Sequence, residues 1–216
     1  MIKKIFNYLL SLIFPIECIS CKEEDTYLCT KCLNKIDINH DFKFKKNLKY
    51  IDKVHSATKY DNKLLQIAIH YFKFRYIKEL VVPLSKIIIK YLEQEKIELT
   101  DYMLIPIPLH KKRYLERGFN QSELIATQLA KHFNLQIANN VLIRSINTPH
   151  QVGLNKKKRL NNLNEAFKVL KPELIKDKKI ILIDDVVTTG STLEEVAKTL
   201  IKAKVSNIIA ITIAYD

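Results

Sequence analysis

Two periodicities divide the chain into alternating strands and helices. Residues 180–183 are four branched apolar residues in a row, the pattern of a strand buried on both faces of a parallel sheet. Asp184 and Asp185 close that strand. Thr188, Thr189, Gly190, Ser191 and Thr192 then turn the chain into residues 193–203, which have helical spacing. Upstream, residues 51–60 alternate enough for a strand, with Val54, Ser56 and Thr58 on one face. Asp61 is expected to cap a helix through Leu64, Leu65, Ala68 and Ile69, and a second helix runs over 77–95. Residues 103–109 read as a short apolar strand broken by prolines, 110–121 as a basic loop, 120–132 as a helix and 207–214 as a final apolar strand. Strands alternating with helices predict an α/β fold, a parallel sheet flanked by helices.

Composition leaves this picture intact, with 47% apolar and 27% charged residues in 216, enough for one full core and a small appendage. Charge changes it: 36 basic against 23 acidic residues give +13. Such a balance favours polyanionic partners, although a lysine-rich surface also arises from compositional bias. Residues 1–14 place two lysines before an apolar run that Pro15 ends. The run is too short to cross a bilayer, which needs about 20 apolar residues. It reads as a helix packed on the core, or as an interfacial helix on the inner membrane face.

The four cysteines form two Cys-x-x-Cys pairs, Cys18 with Cys21 and Cys29 with Cys32. In a reducing cytoplasm they read as four thiolates for a tetrahedral structural Zn²⁺. This divides the chain into an N-terminal helix and zinc module over 1–40 and a main domain over 41–216, joined by the basic, aromatic stretch 41–49.

The loop after the 180–183 run points backbone N–H groups at a helix N-terminus, so it can cradle a phosphate. The adjacent acids can take hydroxyls of the sugar carrying it. Glycine occurs only at Gly118, Gly153 and Gly190, and its scarcity marks Gly190 as a backbone requirement. Ligands of open α/β sheets bind beyond the carboxyl ends of the strands. The 110–121 loop is therefore expected on the same rim, where Arg113 and Arg117, with Lys73, meet a pyrophosphate. Tyr71, Phe72, Lys73, Phe74, Arg75 and Tyr76 interleave rings with cations, which suits a nucleic-acid single strand and equally suits rings turned half into the core. Lys111 and Lys112 extend the basic set, as do Lys156, Lys157, Lys158 and Arg159, read as a flap, a DNA contact or a solvated helix face.

The apolar strand, two acids and hydroxyl-rich loop resemble the phosphoribosyl pyrophosphate motif of the type I phosphoribosyltransferases. That resemblance implies that the loop amides hold the 5-phosphate and the acids hold the ribose hydroxyls, with Mg²⁺ bridging ribose and pyrophosphate. The roles fall on Asp184 and Asp185, which are also the catalytic candidates, and on Val187, Thr188, Thr189, Gly190, Ser191 and Thr192.

Further blocks narrow the resemblance. Pro106, Pro108, Leu109 and His110 precede Arg117, Gly118, Phe119, Asn120 and Gln121. His150, Gln151, Gly153 and Leu154 precede Arg159, Asn162, Ala166 and Phe167. With the cysteine pairs, this order resembles the ComF competence family, which combines a zinc knuckle with a phosphoribosyltransferase-like domain. The resemblance implies a DNA-uptake protein that binds phosphoribosyl pyrophosphate or a nucleotide and handles single-stranded DNA. It implies a cytoplasmic location, peripheral to the inner membrane if the chain meets uptake machinery there, and no transmembrane segment. A working phosphoribosyltransferase with an unidentified acceptor is the second reading. A regulator whose zinc module contacts duplex DNA is the third, weakened because no helix-turn-helix pattern is visible.

Overall fold

A computed structural model describes residues 15–40, 44, 48–146 and 166–216. The expected 1–14 helix, most of the 41–49 stretch and the Lys156–Lys157–Lys158–Arg159 run lie outside the described residues. In chain order the elements are α1 (Thr30–Leu33), β1 (Lys53–Lys59), α2 (Lys63–Phe74), α3 (Val81–Gln94) and β2 (Tyr102–Pro106). Then come α4 (Lys111–Arg117), α5 (Gln121–Phe133), β3 (Gln136–Ile137), β4 (Leu142–Arg144), β5 (Phe167–Val169), β6 (Lys179–Val187), α6 (Ser191–Lys202) and β7 (Asn207–Tyr215).

The main sheet runs β1-β7-β6-β2-β3, and every pairing in it is parallel. β4 and β5 form a separate antiparallel pair. The apolar run of β6 lies inside the sheet, and Ile180, Ile181, Leu182 and Ile183 are each 0% exposed. Side chains alternate across a strand. Ile181 and Ile183 therefore join the apolar layer under α2, α3 and α5, while Ile180 and Leu182 join the layer under α6 and the β4–β5 pair. From β2 the chain moves to β3 on one side, and from β6 it moves to β7 on the other. The crevice between the carboxyl ends of β2 and β6 is thus the switch point where such sheets bind ligands.

The α/β expectation holds, and several boundaries differ for local reasons. β6 does not stop at the acids: it runs to Val187, still paired with β7 through Asp184–Thr212 and Val187–Tyr215. The cap of α2 is Asn62, whose side chain accepts from the Leu65 N–H at 3.1 Å, not Asp61. The helix expected from residue 77 starts as a 3₁₀ turn, Lys78–Leu80, before α3 takes over with Pro83 in its first turn, where proline costs no hydrogen bond. Residues 111–117 are a helix rather than a loop. His110 caps it by accepting from the Lys112 N–H, and Gly118 ends it at φ +77.

The cysteine module is not isolated from the main core. Buried Cys18, Leu28, Cys29, Cys32 and Ile36 form one apolar cluster with Leu65, Phe72, Leu80 and Leu84. No helix among the described residues is long and apolar enough to cross a membrane.

Candidate functional site

Asp185 is 3% exposed at the end of β6, and its Oδ1 sits 2.9 Å from Lys73 Nζ on α2. The same oxygen accepts the Val186 N–H at 2.7 Å. Its other oxygen, Oδ2, is buried without a hydrogen-bond partner among the described residues. Asp184 is more open and accepts from Ser122 Oγ at 3.1 Å and from the Asp185 N–H at 2.9 Å. Burial raises the Asp184 pKa to about 7 and the Asp185 charge adds to the rise, while Lys73 and the two hydrogen bonds oppose it. Asp185 is therefore a paired acid, neutralised by Lys73, which the sequence placed with the rim cations.

Three arginines lie within electrostatic reach of the acids or of one another. Burial lowers the pKa of Arg117 and Arg113 crowds it further, while Asp185, the Tyr76 hydroxyl and Asp184 favour its charge. Arg117 also hydrogen-bonds Gln121. Arg144, at the end of β4, is lowered by burial and by Arg113 and supported by Asp184. Arg113 itself is lowered by burial against the pull of Glu116. Of the two arginines expected at the rim, Arg117 is thus within electrostatic reach of the acid pair, as is Arg144, while Arg113 is within reach of these two arginines. A cavity of about 350 Å³ next to them is lined by Pro108, Lys111, Tyr114, Asn120, Asn139 and Arg144 among others.

The loop after β6 has the expected build. Val187 is buried, Thr188 is exposed, and Gly190 adopts φ +74 as the residue before α6. Gly190 offers α6 no side-chain cap, and the Ser191 N–H makes only a long bond, 3.4 Å, to Thr189 Oγ1, so the helix N-terminus can meet an anion. Thr189 Oγ1 and Ser191 Oγ lie 2.7 Å apart, and Thr192 is partly exposed in the first turn. Glycine is needed at 190 twice over. A Cβ there would come within 2.9 Å of Phe44 and 3.1 Å of Leu48, besides the positive φ. The Lys49 N–H bonds Glu194 Oε1 at 2.8 Å, so this stretch is fastened to α6.

These residues fit a sugar phosphate with a divalent cation. Two carboxylates share one end of a strand, one has a buried oxygen with no partner among the described residues, and the other is held back from ionising by burial and by its neighbour. Hydroxyls or a cation would satisfy both.

The sulfurs of Cys18, Cys21, Cys29 and Cys32 lie within 4.8 Å of one another, and all four thiols are free. Cys21 and Cys29 Sγ are 3.5 Å apart, too far for a disulfide and close to the ~3.8 Å edge of a tetrahedral site with metal–sulfur bonds of about 2.3 Å. Burial opposes ionising Cys18, yet backbone N–H groups of Cys21, Cys29 and Ser20 outweigh it and bring its pKa to about 6. The cluster can hold a metal ion.

The nucleic-acid candidates scatter. Lys73 is turned to Asp185, Arg75, Lys111 and Lys112 are exposed, and Lys156 to Arg159 lie outside the described residues. Of the interleaved rings, Phe72 is 0% exposed while Phe74 and Tyr76 reach 46% and 49%, so the stretch serves core and surface at once. Sequence reasoning missed Ser122, Arg144 and the Phe44–Leu48 cover on Gly190. Ser122 follows the Asn120 cap and was open to inspection. Arg144 carries no local signal, since only the fold brings it to the acids.

Comparison with known proteins agrees with this geometry. The model of the phosphoribosyl transferase domain matches residues 120–216, which include the acids and the loop. Competence protein F of Haemophilus influenzae is 39% identical over 106 residues, 49% of this chain and 46% of that protein. DNA utilization protein YhgH of Escherichia coli O157:H7 is 32% identical over 64% of this chain and 61% of its own length. Competence protein ComFC of Bacillus subtilis is 38% identical over 52% of this chain and 44% of its own. The matched region spans about half to three fifths of these relatives. By these matches and the four-cysteine cluster, the chain is similar to competence and DNA utilization proteins of the ComFC kind, and residues 120–216 match a phosphoribosyl transferase domain.

Proposed function

We propose that the chain binds phosphoribosyl pyrophosphate with Mg²⁺ at the β6–α6 loop and handles single-stranded DNA during DNA uptake. The observation that carries the reading is the acid pair at the switch point, with the α6 N-terminus that Gly190 leaves without a side-chain cap following in the chain and with Arg117 and Arg144 in electrostatic reach. The N–H groups of residues 190–192 take the 5-phosphate, and Asp184 and Asp185 take the ribose hydroxyls. The arginines face the pyrophosphate, whose charge they offset in a partly dehydrated crevice. Mg²⁺ bound with the ligand, near Asp184 and Asp185, would neutralise part of that charge. The four cysteines hold Zn²⁺, and the DNA role is supported by the names of the relatives and the +13 charge.

Titration with phosphoribosyl pyrophosphate, with and without Mg²⁺, tests the ligand. Saturable Mg²⁺-dependent binding is expected, and none at millimolar ligand contradicts the reading. Binding of a labelled oligothymidylate should weaken steeply with salt; no binding at low salt removes the single-strand role. The second reading, active transfer to an acceptor, has the same support at the loop and separates by assay. Pyrophosphate release with a panel of bases favours it, and silence across the panel leaves the binding reading in place.

A further inference from the structure

Away from the rim, a groove runs between the cysteine module and the outer face of α3. One hollow of about 420 Å³ is lined by Glu23, Glu24, Leu28, Leu33, Val82 and Lys86 among others. A second, of about 250 Å³, is lined by Leu33, Ile36, Ile38, Lys86, Ile89 and Glu93 among others. Both include Thr30, Leu33 and Lys86, so they are neighbours along one groove. On α3 the lining residues Val82, Lys86, Ile89 and Glu93 recur at steps of four, three and four, which is one side of the helix. Val82 on that side is 45% exposed.

The described chain enters at one end of this groove. The Asp25 N–H donates to the Ile16 carbonyl at 2.8 Å, and Glu17 forms an antiparallel bridge with Glu24, a lining residue. Pro15 and Ile16 are exposed and stand next to the hollow that Val82 lines.

Residues 1–14 lie outside the described residues, but their sequence matches the groove in character and length. Ile2, Ile5, Phe6, Leu9, Leu10 and Ile13 recur at helical spacing, which gives one apolar stripe. A helix of 14 residues would extend about 21 Å, as α3 does with its 14. Laid back from Ile16 along α3, it sets the stripe over Val82, Leu33, Ile36 and Ile89. The same course carries Lys3 and Lys4 to the far end, where Glu93 is exposed and meets His132 Nε2 at 2.8 Å.

We infer that residues 1–14 seat as a helix in this groove of their own chain and fasten the cysteine module to α3. A helix laid apolar face down in a groove is a recurrent mode of recognition. Here the ligand is tethered at Ile16, which raises its effective concentration. The seat is separate from the sugar-phosphate site and does not depend on it.

The chain contains no tryptophan, so Phe6→Trp places a lone indole on the stripe. Its emission should be blue-shifted and shielded from acrylamide relative to the chain in urea, and unchanged on dilution. Adding Val82→Glu, an exposed position of the groove, should shift the emission to the red and restore quenching while circular dichroism stays the same. A second measurement needs no substitution in the groove. Carbodiimide coupling of the unsubstituted chain, read by mass spectrometry, should join Lys3 or Lys4 to Glu93. An indole as quenchable as in urea, shielding indifferent to Val82→Glu, or coupling of these lysines only to acids elsewhere overturns the inference. So does shielding gained only with anionic phospholipid vesicles, which would assign the segment to a membrane surface. Shielding lost on dilution overturns it too, by placing the segment on a second copy.

Discussion

Lys73 Nζ reaches from the last turn of α2 to within 2.9 Å of Asp185 Oδ1 at the end of β6, where the carboxylate is 4% exposed and the lysine 21%. The pair fastens a helix over the sheet and neutralises one acid of the site. Removing the lysine strands a buried charge, which costs more than the pair itself contributes. Lys73→Met should lower unfolding stability by about 3 kcal/mol. Urea unfolding of the two proteins measures it, and a change within about 0.5 kcal/mol, ordinary for surface substitutions, would show that the pair is not formed.

Gly190 meets two constraints, a φ of +74 and the approach of Phe44 and Leu48 to the place a Cβ would occupy. Gly190→Ala should cost stability by about 1 kcal/mol or more, since alanine is strained at positive φ. Because the substitution also shifts the loop that leads α6, sugar-phosphate affinity should fall with it. Calorimetry on the folded variant reads the second effect; undiminished affinity would remove the loop from the site.

His55 and Asp184 give opposite pH slopes. His55 is 3% exposed with Nδ1 3.2 Å from the Tyr91 hydroxyl. Burial first, then Lys53, lower its pKa from 6.5 to about 4 against the pull of Glu95. The unfolded chain takes up this proton first, so His55 costs stability as pH falls through that window. Asp184 is raised from 3.8 to about 7. Its folded form keeps a proton that the unfolded chain releases, so its contribution is lost as pH rises between those values. Between pH 4 and 6.5 the two slopes oppose each other. Stability of Asp184→Asn should therefore rise with pH across this window relative to the unsubstituted chain, and that of His55→Gln should fall. Parallel curves for all three proteins would contradict both assignments.

The cysteine cluster shares its apolar layer with α2 and α3 through Cys18, Cys29, Cys32, Leu65 and Leu84. Metal analysis should find about one zinc per chain. A strong chelator should lower the melting temperature of the whole chain rather than release a separate small transition. A folded, metal-free protein with unchanged melting would refute the metal site.

Much of this was legible in the sequence because it depends on local pattern. The β6 run, the acid pair, the hydroxyl-rich loop and the paired cysteines are contiguous, and each has a spacing that physics restricts. Boundaries slipped where a neighbouring residue competed for the same role, as Asn62 did with Asp61 for the α2 cap. The helix Lys111–Arg117 was hidden by its charge, although His110 and Gly118 bracket it with ordinary capping chemistry. The short strands β3, β4 and β5 hold two or three residues each, too few for a period to show. Relations across the fold, Lys73 with Asp185, Ser122 with Asp184 and Arg144 beside both acid and arginine, had no local signature at all.

The central claim is that Asp184 and Asp185 hold the sugar of a phosphorylated ligand. Asp184→Asn combined with Asp185→Asn keeps the size of both side chains while removing their charge. Calorimetric titration of this variant and the unsubstituted chain with phosphoribosyl pyrophosphate and Mg²⁺ is the direct measurement. Saturable binding by the unsubstituted chain and no detectable heat from the variant, with both folded by circular dichroism, is the predicted result; equal binding by the two proteins would contradict the claim.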